Sequence, residues 1–132
     1  MKIPDKFLDL LTGKNFANVA TINPDGSPQV TPMWLDYDED TNEILVNTAK
    51  GRKKERNMTL NKKIALSIMD STNSYRYVGI QGEITNITTE GAEAHIHKLS
   101  KKYMGRDKYP LVEGEVRLLI RISPKYVHVM GE

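Results

Sequence analysis

Five basic residues within seven positions, Lys50, Arg52, Lys53, Lys54 and Arg56, form the densest charge in the sequence, interrupted only by Gly51 and Glu55. They follow a strand-like run, Ile44-Leu45-Val46-Asn47-Thr48, and open a segment predicted as a short helix through about Leu60. The cluster therefore falls on a strand-to-helix junction. A cation in the first turn of a helix opposes the macrodipole by roughly 0.3–1 kcal/mol. An anion resolves that conflict: a phosphate would be held by the first-turn N–H groups together with Arg52, Lys53 and Lys54, while Gly51 lets the backbone come close. The same residues also read as a solvated charge run.

Little else in the chain could do chemistry unaided. His95 and His97 stand two apart on a predicted helix, hence on different faces, with no acidic partner at metal-ligand spacing, so they are expected on the surface and no metal site is expected. His128 alternates with Val127 and Val129 and reads as a half-exposed strand residue. There is no cysteine, which excludes a disulfide framework, a thiolate zinc site and a cysteine nucleophile, and suggests a reducing compartment. Gly79-Ile80-Gln81-Gly82 lies inside a predicted strand and opens no helix, unlike a dinucleotide fingerprint. No serine sits in a nucleophile elbow. A chain without its own acid–base pair can still be an enzyme when a cofactor carries the reaction.

Aromatic residues gather in two places. Thr31-Pro32-Met33-Trp34 holds the single tryptophan, and Tyr75-Arg76-Tyr77 puts two rings on one face of a strand with a cation between them. Core packing is the plain reading of both, and the arginine suggests a rim.

The elements that must position these residues follow from periodicity and turn chemistry. Ile3, Phe7, Leu10 and Leu11 mark a short amphipathic helix from Pro4 to Leu11, stopped near Gly13. Phe16 to Ile22 and Gln29 to Leu35 form a hairpin about the turn Asn23-Pro24-Asp25-Gly26. Pro32 demotes the second of these strands to an edge or a bulge, and an open edge is where a planar ligand can lie. A third strand runs from Glu43 to Thr48, a fourth from Lys63 to Met69, and a fifth from Tyr75 to Ile84 whose Gly79 and Gly82 suggest a bulge or sharp coil. Thr88-Thr89-Glu90 starts a helix with Ala92, Ile96, Leu99 and Tyr103 on one face. A polar loop spans Tyr103 to Glu113, and a sixth strand from Glu115 to Ile122 is broken by Pro124 and resumed by Tyr126 to Met130. Six strands without regular βαβ crossovers predict a mostly β, α+β domain over residues 1–132, a six-stranded antiparallel barrel with covering helices.

A chain of 132 residues supports one core without staples. No apolar run approaches the ~20 residues of a membrane span, and the charged start leads into no signal-peptide core, so a soluble cytoplasmic protein is expected. The net charge of +2 is uneven, with +4 on positions 50–56 and −2 on the remainder. One compact basic spot suits a small anion better than nucleic acid, whose binders spread positive charge over a face.

In order, the N-terminal helix, the hairpin from Val19-Ala20-Thr21 to Asp25-Gly26-Ser27-Pro28, the Thr31-Pro32-Met33-Trp34 strand and Gly51-Arg52-Lys53-Lys54-Glu55-Arg56-Asn57 resemble the pyridoxamine 5'-phosphate oxidase-like split-barrel flavoproteins, most closely their deazaflavin-dependent branch. The resemblance spans nearly the whole chain. It implies that the junction holds the phosphate of FMN or of the deazaflavin coenzyme F420, with Arg52 and Lys54 as leading ligands and Lys53 as a third. It also implies that Thr31, Pro32, Met33 and Trp34, with Thr48 and Ala49, line the ring system through backbone groups. Members of the family are homodimers with the cofactor at the interface, and the stretch matching Tyr75, Arg76 and Tyr77 comes from the partner chain. The longer C-terminal segment that binds the vitamin substrate in true pyridoxamine 5'-phosphate oxidases is not present in this sequence, which argues against that activity. The expectation is an oxidoreductase that passes a hydride between a flavin or deazaflavin ring and a small organic substrate. A flavin-binding electron carrier without enzymatic activity is the second expectation. A barrel binding single-stranded nucleic acid on Trp34 and the tyrosines is the third.

Overall fold

Alternation sets the faces of the central strands: Ile64, Leu66 and Ile68 are buried while Lys63, Ser67 and Met69 are exposed. These strands belong to a computed structural model that describes residues 1–131. A single 3₁₀ turn, Asp5–Phe7, leads into α1, Leu8–Thr12. The strands are β1 (Ala17–Ile22), β2 (Pro28–Met33), β3 (Asp36–Asp38), β4 (Glu43–Ala49), β5 (Lys63–Asp70), β6 (Asn73–Thr88) and β7 (Arg117–Met130), and the longer helices are α2 (Lys53–Leu60) and α3 (Ala92–Met104).

All seven strands lie in one antiparallel sheet of order β2-β1-β5-β6-β7-β4-β3. β2 and β3 are its free edges, so the barrel is split and not closed, and it has seven strands where six are expected from sequence. The additional strand is Asp36-Tyr37-Asp38, three residues long, in which Tyr37 pairs with Ile44. The long β6 and β7 curl the sheet: β6 pairs with β5 from Asn73 to Glu83 and with β7 from Tyr77 to Thr88. Ile3, Phe7, Leu10 and Leu11 are buried with Ile44, Ile68, Ile80, Ile120 and Ile122, so the N-terminal helix plugs the curl as its spacing predicts.

Three boundaries differ from the sequence reading. Pro124 does not break the last strand, because the ladder shifts between Gln81 and Gly82 there: Pro124 lies opposite Gly82 and Tyr126 opposite Gln81, leaving Lys125 as the extra residue. The proline's missing N–H thus falls at a bulge, where no ladder bond is lost. Gly82 allows the close approach, since a Cβ there would stand 2.7 Å from Ile122 Cγ2. β6 continues through Thr88, and α3 is capped instead by Gly91 in the left-handed conformation, φ 74°. Tyr103 closes the last turn of α3, buried, and is not part of the following loop. Among the described residues no helix is long and apolar enough to cross a membrane.

Candidate functional site

The β4–α2 junction has the form its sequence predicts. Gly51 takes φ 96°, Arg52 is the extended N-cap, and Lys53 and Lys54 fill the first turn of α2. Glu55 turns back so that its Oε1 accepts the Gly51 N–H at 2.6 Å, while Oε2 accepts the Thr59 hydroxyl at 2.9 Å. The acid in the first turn thereby serves the backbone, and among the described residues Arg52, Lys53 and Lys54 make no ion pair within 4 Å. Asn57 fixes the helix against the hairpin, its Nδ2 donating to Thr21 Oγ1 at 3.1 Å, Asn23 Oδ1 at 2.9 Å and Gln29 Oε1 at 3.3 Å.

That anchorage brings the junction beside the free edge of β2. Arg52 and Lys54 open onto a cleft of about 220 Å³ whose other walls include Pro32, Met33 and Trp34, with Asn47, Tyr109 and Arg117 also lining it. Trp34 stacks flat on Tyr103, with centroids 5.3 Å apart and planes 3° from parallel, and meets Tyr109 edge-on at 6.1 Å. Tyr103 is itself immobilised: its hydroxyl donates to Asn15 O at 2.6 Å, accepts the Leu35 N–H at 3.2 Å, and is pushed up to about 12 by burial. The indole is therefore a rigid wall of the cleft, set by packing against Tyr103 and Tyr109.

Arg117 is the cleft-lining residue that sequence reasoning missed. Its side chain is only 2% exposed, with Nε donating to Asn47 Oδ1 at 2.9 Å and Nη1 to Glu115 Oε1 at 2.6 Å. The available signal was Glu115 and Arg117 two apart at a strand entrance, on one face with opposite charge. Burial lowers the Lys54 ammonium below the usual lysine range, and the positive charges of Arg52 and Arg117 lower it further. Three cations thus line one cleft, Arg117 already paired with Glu115, and an anion beside Lys54 would offset the repulsion it meets from Arg52 and Arg117.

The remaining expected site residues lie elsewhere in a single chain. Lys53 is exposed beside the cleft, and Thr31 is half-buried on β2. Thr48 and Ala49 are buried at the end of β4, where the Thr48 hydroxyl has no hydrogen-bond partner. Tyr75 is 82% exposed, and Tyr77 packs edge-on against His128. Arg76 is pinned by Asp9 at 2.7 Å and Asp70 at 3.1 Å, over the ring of Phe7. The structure does not bring these three to the cleft of their own chain.

The helix histidines correct the sequence reading, since neither is on the surface. His95 is buried against β4, with Nδ1 3.2 Å from Asn47 Nδ2, and His97 Nδ1 accepts the Tyr109 N–H at 2.9 Å. His95 faces the sheet and His97 the loop that follows α3, so positions two apart both find a partner. His95 Nε2 stands 3.7 Å from Asp36 Oδ2, too far for a hydrogen bond, while Lys98 reaches the same oxygen at 3.0 Å. Burial opposes ionisation of Asp36, yet the His95 ring, the Lys98 ammonium and the Tyr37 N–H together hold its carboxyl well below the usual range.

The fold is a split antiparallel barrel with a cationic strand-to-helix junction beside the free edge strand β2 and the Trp34 that follows it. The chain belongs to the family described as pyridoxamine 5'-phosphate oxidase, whose model matches residues 3–131. Among solved structures it is similar to an F420 reductase, at 29% identity and a TM-score of 0.86, covering 96% of this chain and 98% of that one. It is also similar to Group A Streptococcus HupZ, at 22% identity and TM-score 0.71 over 96% and 93% of the two chains. General Stress Protein 26 from Bacillus anthracis matches at 16% identity and TM-score 0.70 over 96% and 92%. The last two show the fold alone. No curated protein matches the sequence.

Proposed function

We propose that this protein is a cofactor-dependent oxidoreductase that binds FMN or the deazaflavin coenzyme F420 in the cleft between α2 and β2. The observation that carries the reading is that Arg52 and Lys54, which make no ion pair within 4 Å among the described residues, open onto the same cleft as Pro32, Met33 and Trp34. Family membership and the F420 reductase neighbour favour a flat three-ring cofactor carrying a phosphate. Such a cofactor supplies hydride transfer, a chemistry that no amino-acid side chain provides. Arg52, Lys54 and the first-turn amides of α2 hold the phosphate. The free edge of β2 from Thr31 to Met33 offers unpaired backbone groups, and Trp34, just beyond it, offers a fixed aromatic wall.

The reading includes a second copy of the chain. Val30, Ala20, Ala65, Gln81 and Tyr126 are successive cross-strand neighbours from β2 to β7 on the outer face of the sheet. Val30 is 62% and Tyr126 68% exposed, and with the two alanines between them they form a mostly apolar hollow, crossed by the exposed Gln81, that a second copy of the chain would cover. A partner docked there would offer Tyr75, Arg76 and Tyr77 as the rim of the cleft. The cytoplasm, where such cofactors circulate, is the compartment that fits.

Absorbance titration of the purified protein with FMN and with F420 tests the reading. Binding in the cleft predicts a saturable change in the ring's visible band with at least one of them. A spectrum identical to that of the free cofactor at all protein concentrations would contradict it.

A further inference from the structure

Asn47 has an assigned orientation, because its Oδ1 accepts from Arg117 Nε at 2.9 Å. Its Nδ2 therefore donates to Ala92 O at 2.8 Å and faces His95 Nδ1 at 3.2 Å. A ring nitrogen that receives an N–H carries no proton, so neutral His95 holds its proton on Nε2, which has no hydrogen-bond partner and points toward Asp36. The chain of contacts from Lys98 and Asp36 through His95 and Asn47 ends at Arg117, in the cleft. Arg117 in turn gives Nη1 to Glu115, and its Nη2 has no hydrogen-bond partner among the described residues. With Glu115 matching its charge, Arg117 is a directional donor more than a source of net positive field. Such a donor suits a carbonyl oxygen better than a second phosphate.

We propose that Asn47 and His95 are positioning residues that fix the Arg117 guanidinium, so that its free Nη2 donates to a carbonyl oxygen of the ligand ring whose phosphate Arg52 and Lys54 hold. This rests on the function proposed above, and it adds a ring-recognition subsite on β4, β7 and α3, distinct from the junction. It also makes the subsite depend on the His95 tautomer that leaves Nδ1 without a proton. Protonation would place an N–H on Nδ1 against the Asn47 amide nitrogen, and turning that amide would set its N–H₂ against Arg117 Nε–H. The charged groups around His95 are Asp36 with Lys98 on the Nε2 side, Arg117 with Glu115 beyond Asn47, and Lys102, whose Nζ is held by Leu35 O at 2.8 Å.

Three probes separate the subsites: FMN, riboflavin, which has the ring without the phosphate, and inorganic phosphate. Asn47→Ala and His95→Phe should weaken FMN and riboflavin about tenfold each and leave phosphate affinity unchanged. His95→Asn retains an acceptor near Nδ1, so it should restore the ring affinity that His95→Phe loses. In the parent, ¹⁵N NMR of the His95 ring should show the proton on Nε2. Riboflavin affinity equal in parent and variants, phosphate affinity falling in parallel, or a proton on Nδ1 would each overturn the inference while leaving the cofactor reading in place. A parent that binds neither FMN nor F420 would overturn both.

Discussion

Asn57 on α2 donates to the Thr21 hydroxyl on β1 at 3.1 Å, a bond across 36 positions of sequence that sets the cationic helix against the hairpin. The same amide reaches Asn23 and Gln29, so one side chain serves both strands of the hairpin and its turn. Asn57→Leu removes the donor and leaves buried acceptors without partners, which costs about 1–3 kcal/mol. Urea unfolding should show a lower midpoint with an unchanged slope. Cofactor affinity should fall as well, because the junction loses its fixed distance from β2. A variant as stable as the parent would show that the hairpin and α2 are positioned by packing alone.

Dimerisation through the outer face of β2, β1, β5, β6 and β7 is the second prediction. Sedimentation should give a dimer, and Ala65→Arg, which puts a charge in the middle of that face, should give a folded monomer. Because the rim formed by Tyr75 and Tyr77 would come from the partner, that monomer should also bind cofactor more weakly. A parent that is monomeric and binds cofactor fully would refute the shared site.

The third prediction concerns pH. Lys54 titrates below the ordinary lysine value, chiefly through burial and then through Arg52 and Arg117. A bound phosphate raises it again. Affinity should thus be full below the free protein's Lys54 value and decline as pH rises from there toward the ordinary value of about 10.4. For the free protein the sign is reversed, since the depressed value is a destabilisation present when Lys54 is charged and relieved as pH rises. Lys54→Met should flatten both profiles, as fluorescence titration and thermal melting across alkaline pH would show.

Acid should act through Asp36, whose carboxyl lies well below its ordinary value in the fold. Its stabilisation is present above the unfolded value of about 3.9 and is lost as pH falls through the folded one. Melting temperatures of the parent should drop in that window. Asp36→Asn should be less stable at neutral pH and should lose less on acidification. Parallel acid profiles for the two proteins would assign the loss to other carboxylates.

Much of the fold was legible because its signals are local. The hairpin announced itself by Asn23-Pro24-Asp25-Gly26, where Gly26 takes φ 89° and its N–H returns to Asn23 O at 2.9 Å. The junction did so through five cations on a strand-to-helix step. What escaped depends on contacts distant in sequence. β3 exists because Tyr37 finds Ile44, and Pro124 stays within a strand because a bulge opposite Gly82 absorbs it. Arg117 looked like one basic residue at a strand entrance, and only the fold sets it beside Asn47, 70 positions away. His95 likewise appeared as a surface residue because the sheet that covers it is invisible in a helical spacing.

The central claim is that Arg52 and Lys54 hold a cofactor phosphate, and separate Arg52→Ala and Lys54→Ala variants test it most directly by fluorescence titration. A hydrogen bond to a charged group contributes about 1.5–3 kcal/mol, so each loss should weaken FMN or F420 by roughly one to two orders of magnitude. Melting of the free variants should show stability unchanged or slightly raised, because a cation has left the first turn of a helix. Both variants binding the cofactor as tightly as the parent would contradict the account and place the phosphate elsewhere.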